Sequence, residues 1–218
     1  MKEAIWNRVG PATGLLFFAL VFTGLFIHGY PDQSPSDQQL QSWIQGIDVG
    51  RFTTGVYIEE LGQAMFIPFC VWLYLHLRRG DGSAWTALVM LAAGLAWTTV
   101  TLPINELYVG MLEQGRRAID IHVAQTVLAI SQTWFEMTFL PQALFFLAVG
   151  ASILRGGALA RWAGWAALAL GLALLIPGPI MFAFGMLPYL AVLLVAGYYT
   201  WRPSLSRESG GLTSSPSR

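Results

Sequence analysis

The sequence has little charge, since only 11% of its 218 residues are Asp, Glu, Lys or Arg. A soluble globular domain carries about 25% charged residues, so this deficit favours a protein embedded in lipid. The formal net charge is zero and no block of basic residues occurs, which argues against a nucleic-acid partner. We therefore expect the lipid bilayer to be the main partner of the chain.

Sequence motifs of familiar enzymes are also missing. The single cysteine, Cys70, excludes an intrachain disulfide and a cysteine-rich metal site. There is no G-x-S-x-G nucleophile motif, no glycine-rich phosphate loop and no dinucleotide fingerprint. No H-E-x-x-H or E-x-x-H pair places two metal ligands on one helix. The sequence therefore identifies no catalytic residue and no cofactor, and we assign no metal site.

Long apolar runs take the place of charge. Six segments approach the roughly 20 residues that cross a bilayer as a helix. They cover about 11–29, 55–77, 84–103, 130–154, 162–178 and 182–201. The last two are separated by the turn signal Pro177-Gly178-Pro179. We predict an all-α, multi-pass protein with six transmembrane helices within residues 1–202, followed by a disordered tail, 203–218, rich in Ser, Gly and Pro.

The basic residues predict the orientation of this bundle. Lys2 and Arg8 precede the first span as in a signal peptide, but no A-x-A-like cleavage site follows, so we expect a retained span. One set of flanks holds Lys2, Arg8, Arg78, Arg79, Arg155, Arg161 and Arg202, whereas the opposite loops hold only Arg51, Arg116 and Arg117. The positive-inside rule then predicts an inner (plasma) membrane protein with both termini in the cytoplasm.

Two outer segments are long enough to hold helices of their own. Ser36 and Gln39 have the spacing of a capping box, and apolar residues then follow at helical spacing, at Leu40, Trp43, Ile44 and Ile47. This pattern predicts a short amphipathic helix on the outer membrane surface. We also predict that the third span ends at Pro103 and that 104–122 leaves the membrane and forms a second short outer helix.

The second and fourth spans share a layout. Nineteen residues separate Glu60 from Arg79, and nineteen also separate Glu136 from Arg155. Two hairpins with this spacing indicate a parallel internal repeat that places Glu60 and Glu136 at matching depths. Independent convergence on one hairpin design is the alternative.

Acidic and amide side chains form stripes within these two spans. Glu60 and Gln63 are three residues apart and share one helical face, which turns Glu59 away. Gln125, Gln132 and Glu136 form a stripe on the fourth span. A carboxylate inside a membrane is costly and usually faces protein or water, so we expect the two stripes to face each other across a hydrated cavity.

The predicted function follows from that cavity. We expect a binding or transport module with an outward-facing acidic pocket for a small polar or cationic ligand, in which Trp134 adds a cation–π contact. The candidate ligand-binding residues are Glu60, Gln63, His122, Gln132, Trp134 and Glu136. The alternative is a membrane-embedded enzyme that uses Glu60, Glu136 and His122 for acid–base or metal-assisted chemistry on a lipid-like substrate.

Less specific interpretations stay open beside these two. Glu60 and Glu136 could pair with Arg51, Arg116 or Arg117 and simply tie the outer loops to the bundle. A metal site built from His28, His122 and the glutamates is less favoured, because no motif holds two ligands together. The sequence also leaves open a homo-oligomer and a non-catalytic role within a larger membrane complex.

Overall fold

The computed structural model describes residues 2–31, 35–78, 84–115, 120–156, 160–176 and 187–201. Within these residues all regular secondary structure is helical and no strand occurs, so the predicted all-α class is confirmed. The helices are α1 (Lys2–His28), α2 (Asp37–Gly46), α3 (Val49–Leu77), α4 (Ala84–Gly115), α5 (Ile121–Met137), α6 (Phe139–Gly156), α7 (Arg161–Ala173) and α8 (Leu187–Trp201).

Four segments are long and apolar enough to cross a membrane: Val9–His28, Val49–Leu77, Ala84–Glu113 and Ile121–Gly156. Leu187–Tyr199 is a shorter apolar helix. These helices are compatible with a membrane location and suggest a membrane protein. The predicted tail, the turn Pro177-Gly178-Pro179 and four of the arginines used for orientation lie outside the described residues; those arginines are Arg79, Arg116, Arg117 and Arg202.

The helix of the third predicted span does not end at Pro103, although the sequence suggested that it would. Helix α4 continues through Pro103 to Gly115, and no separate helix begins within 104–115. A proline inside a helix costs about 3 kcal/mol. Beyond the proline, Ile104, Tyr108 and Leu112 are buried in a cluster with residues of α2, α3 and α5. Packing of this last part of α4 therefore outweighs the cost of the proline.

The fourth predicted span is divided into two helices just before Pro141. The break lies at Thr138, between α5 and α6, and the helical run begins at Ile121 rather than near residue 130. Pro141 has no N–H to donate to the carbonyl of Met137, four residues earlier, so the helix is weakest there. The Thr138 hydroxyl donates to the Phe135 carbonyl at 2.7 Å and so helps to satisfy the backbone at the break. Pro68, in contrast, lies inside a continuous α3.

Helices α1 and α3 pack along a contact line that we call the α1–α3 seam. Its buried residues are alternately four and three apart on α1 (Gly10, Gly14, Phe17, Val21, Gly24 and His28) and on α3 (Gly55, Glu59, Gly62, Phe66 and Phe69). This spacing is that of a coiled-coil heptad, and small residues let two backbones approach closely. A Cβ added at Gly24 would lie 2.6 Å from the carbonyl oxygen of Gly55. The seam therefore depends on glycine.

The predicted amphipathic helix is present as α2. Ser36 caps it, and the reciprocal hydrogen bonds with Gln39 form the expected capping box. Leu40 is fully buried in an apolar cluster with residues of α3, α4 and α5, and Trp43, Ile44 and Ile47 pack against the same cluster. The Gln125 amide of α5 donates to the Asp37 carboxylate in the first turn of α2. Helix α2 thus covers one end of the bundle, which we call the α2 end.

Candidate functional site

A cavity of about 280 Å³ lies between α1, α3, α4, α5 and α8, near the α2 end. Its walls are mainly apolar and include Val21, Phe22, Leu25, Leu128 and Phe135. Its polar lining comes from Tyr30, Glu59, Thr101, Asn105, Tyr108, Ser131, Gln132 and Tyr189. The cavity therefore combines apolar walls with one carboxylate.

That carboxylate belongs to Glu59, which pairs with His28 across the α1–α3 seam. His28 Nε2 lies 2.8 Å from Glu59 Oε2, and only 6% of His28 and 5% of Glu59 is exposed. Close approach at the seam makes this contact possible, because the carbonyl oxygen of Gly24 and the backbone of His28 pack directly against Gly55. An ionisable pair thus occupies two positions of a seam that is otherwise glycine and apolar side chains.

The backbone after α1 indicates which ring nitrogen of His28 carries a proton. Gly29 has a positive φ of 62° and donates its N–H to the Leu25 carbonyl, which ends the helix. The Gly29 carbonyl oxygen lies 3.0 Å from His28 Nδ1. Since a carbonyl oxygen can only accept a hydrogen bond, we assign a proton to Nδ1. Both ring nitrogens of His28 are therefore engaged, one by the backbone and one by Glu59.

Tyr30 adds a second contact to Glu59. Its hydroxyl donates to Asn105 Oδ1 on α4 and lies 3.4 Å from Glu59 Oε2. The ring packs against His28, with 4.7 Å between the ring centroids, and against Tyr108, with 5.6 Å. Burial of the hydroxyl, and then the negative charge of Glu59, raise the pKa of Tyr30 well above its usual value. Tyr30 therefore stays a hydrogen-bond donor at neutral pH and links α1 to α4.

Of the six predicted ligand-binding residues, only Gln132 lines this cavity. Gln63 is buried one turn from Glu59, near the Tyr189 hydroxyl. Glu60 is half-buried and interacts with Glu106 of α4. Glu136 is exposed on α5, and neither Glu60 nor Glu136 lines the cavity.

The other two predicted residues have backbone partners. The Trp134 indole N–H donates to the Val100 carbonyl at 2.7 Å and joins α5 to α4 one turn before Pro103. His122 is exposed in the first turn of α5, where its backbone N–H donates to the Asp120 carboxylate that caps the helix. Neither residue lines the cavity.

The prediction that Glu59 turns away from the polar face is wrong. Gln63 is three residues from Glu60 but four from Glu59, and both spacings place two side chains on one helical face. Gly55 and Gly62 lie on the helical face of Glu59 rather than that of Glu60. Small residues mark the face that contacts another helix, so Glu59 is the glutamate that faces inward. The small residues of α1 mark its contact face in the same way, and His28 lies on that face. Asn105 and Tyr30 carry no comparable signal in the sequence.

The described residues show one ion pair, that of His28 with Glu59. Arg51, a predicted partner of Glu60 or Glu136, is exposed, and the other two candidates lie outside the part of the chain described. Nowhere in that part do three or more His, Cys, Asp or Glu side chains come together as a metal-binding group.

No family model, curated protein or solved structure matches this chain. Its function is therefore argued from the cavity and the residues around it.

Proposed function

We propose that this protein is a membrane-embedded binding module whose cavity takes a small organic molecule with an apolar body and a polar or cationic group. The observation that supports the proposal is an apolar cavity lined by Glu59, the carboxylate of the buried His28–Glu59 pair. Ligand pockets in proteins are mostly apolar, with a few placed polar groups that orient the ligand. This cavity has that composition.

The size of the cavity limits the ligand. Its volume of about 280 Å³ is near the lower end of ligand pockets, which begin at about 300 Å³. Phe22, Leu25 and Phe135 would contact the apolar body, whereas Glu59, Tyr30 and Gln132 form part of the polar lining that its polar group would face. Such a site suits one small molecule rather than a lipid with two acyl chains.

The proposed setting is an inner (plasma) membrane crossed six times, with both termini in the cytoplasm. The four long apolar segments supply four crossings, with Ile121–Gly156 as one bent span, and α7 and α8 would supply the other two. The excess of basic residues on one side supports the orientation. In that orientation the α2 end faces outward, and the cavity near it would open to the outside.

An enzymatic role is the second candidate, because a carboxylate beside an imidazole is a frequent acid–base pair. The residues would then be Glu59 and His28 rather than Glu60, Glu136 and His122. The geometry favours binding, since the Gly29 carbonyl and Glu59 occupy both nitrogens of His28 and leave neither facing a substrate. In this arrangement His28 holds Glu59 in place.

Ligand-induced stabilisation of the purified protein in detergent tests the proposal. A panel of small aromatic amines, alcohols and amides is screened by thermal unfolding, with Leu25→Trp to fill the cavity. Leu16→Trp is the matched control, because Leu16 is on the same helix but 49% exposed and outside the cavity. We expect the wild type and Leu16→Trp to gain several degrees with a binding compound.

Leu25→Trp should lose that gain. If no compound stabilises the wild type, or if Leu25→Trp responds as strongly as Leu16→Trp, the cavity is not the binding site.

A further inference from the structure

We propose that the ligand is an organic cation and that its binding expels the one proton that His28 and Glu59 share. The inference rests on the proposed binding function and specifies its chemistry. The cavity would exchange one proton for one cation, so that its total charge stays constant. The proton passes from the pair to water as the cation enters, and no bond other than N–H or O–H breaks.

The first step is the proton count. His28 Nδ1 keeps its proton because it faces the Gly29 carbonyl at 3.0 Å. Nε2 and Glu59 Oε2 are 2.8 Å apart, a hydrogen-bond distance that requires a proton between them. Whether imidazolium donates to carboxylate or carboxyl donates to imidazole, the pair holds one shared proton. In both forms its net charge is zero.

The second step is the absence of another cation. The titratable groups around the pair are Tyr30 after α1, Glu60 on α3, Glu106 and Tyr108 on α4, and Tyr189 on α8. None of these can carry a positive charge. No lysine or arginine within the described ranges lies at ion-pair distance from Glu59. The shared proton is therefore the positive charge that balances Glu59 there.

The third step is competition between the proton and a cation. Without the shared proton, a lone pair of Nε2 would face a carboxylate in mainly apolar surroundings, and an uncompensated buried charge is strongly unfavourable. A cation bound beside Glu59 supplies the missing charge. A cation bound while the proton remains would leave the cavity with an unbalanced positive charge. Cation binding and proton release are therefore linked, whereas a neutral ligand leaves the proton in place.

The linkage predicts a specific pH dependence. As long as the free protein holds the shared proton, release of one proton per cation lowers the apparent Kd about tenfold for each unit of rising pH. Benzyltrimethylammonium is a suitable probe, because its charge does not change with pH and its phenyl group matches the apolar walls. Neopentylbenzene has the same shape without charge and is the matched neutral compound.

The experiment measures binding of both compounds to the full chain in detergent between about pH 5 and pH 8, with proton release followed by calorimetry in buffers of different ionisation enthalpy. We expect about one proton released per bound benzyltrimethylammonium and a pH-independent Kd for neopentylbenzene. Glu59→Gln should remove the pH dependence for the cation. Glu136→Gln, exposed on α5 and outside the cavity, should keep it.

The two proposals fail in different ways. Cation binding with a pH-independent Kd, or with no proton release, would overturn the exchange and leave the binding function intact. If only neopentylbenzene binds, and Leu25→Trp prevents its binding, the exchange is likewise overturned and the binding function is left intact. If Glu59→Gln does not fold, proton release by the wild-type protein still decides the question. If no compound of the wider panel binds in the cavity, the proposed function itself is wrong.

Discussion

A methyl group added at Gly24 should push α1 away from α3 and break the His28–Glu59 contact. The new Cβ would lie 2.6 Å from the Gly55 carbonyl oxygen and 2.7 Å from the Glu59 backbone nitrogen. Both are backbone atoms, so no side-chain rotation relieves the clash. An ordinary van der Waals contact begins at 3.4 Å, so the helices must separate by about 0.8 Å.

The consequences can be estimated from the same geometry. If the separation reaches His28, its 2.8 Å contact with Glu59 lengthens to about 3.6 Å, which is no longer a hydrogen bond. Overpacking of this kind costs about 1–3 kcal/mol, whereas Ala in place of Gly gains about 0.8–1 kcal/mol in an unhindered helix. We therefore expect Gly24→Ala to lower the free energy of unfolding, with loss of the pH-dependent cation binding.

Gly110→Ala is the matched control, because it lies inside α4 and an added Cβ meets nothing within 4 Å. Thermal and denaturant unfolding in detergent, measured on both variants, separates the steric effect from helix propensity. Gly110→Ala should be as stable as the wild type or more stable. Equal stability of the two variants would refute the argument that close backbone contact at the seam holds the pair together.

Two further predictions concern the charged groups. His28→Ala removes the imidazole partner of buried Glu59 and should cost about 3–5 kcal/mol, whereas Glu136→Gln removes a charge from an exposed position within a proposed span and should not lower stability; chemical denaturation measures both, and similar losses would contradict the placement of the two glutamates. The raised pKa of Tyr30 favours the protonated folded state, so its contribution to stability is complete below the unfolded pKa of about 10 and declines as pH rises toward the folded-state pKa. Above about pH 10 the free energy of unfolding of Tyr30→Phe should therefore fall less with rising pH than that of the wild type. An equally steep fall in both proteins would contradict this prediction.

The class of the protein could be predicted from composition and local pattern. A charge content of 11% and long apolar runs indicate a membrane protein. A charged side chain is costly in lipid however the helices are arranged, so this signal is present in the composition alone. The capping box of Ser36 and Gln39 predicts the start of α2 because it acts within one helical turn. These features need no knowledge of distant neighbours.

Helix ends near proline required more than local pattern. Pro103 and Pro141 carry the same local cost, yet α4 continues through one and the chain breaks near the other. Burial of Tyr108 and Leu112 beyond Pro103 stabilises the longer helix. That burial depends on α2, α3 and α5, whose positions are not encoded within the α4 segment.

The candidate site was decided by tertiary structure. The sequence placed acidic and amide side chains on α3 and α5, but helical spacing alone allowed Gln63 to share a face with either Glu59 or Glu60. Contact with Gly24 of α1 turns Glu59 inward and brings it to His28, and Asn105 of α4 then reaches Tyr30. Periodicity determines which residues share a helical face. Which face meets which neighbour depends on how closely whole helices can approach, and that is settled only when the bundle packs.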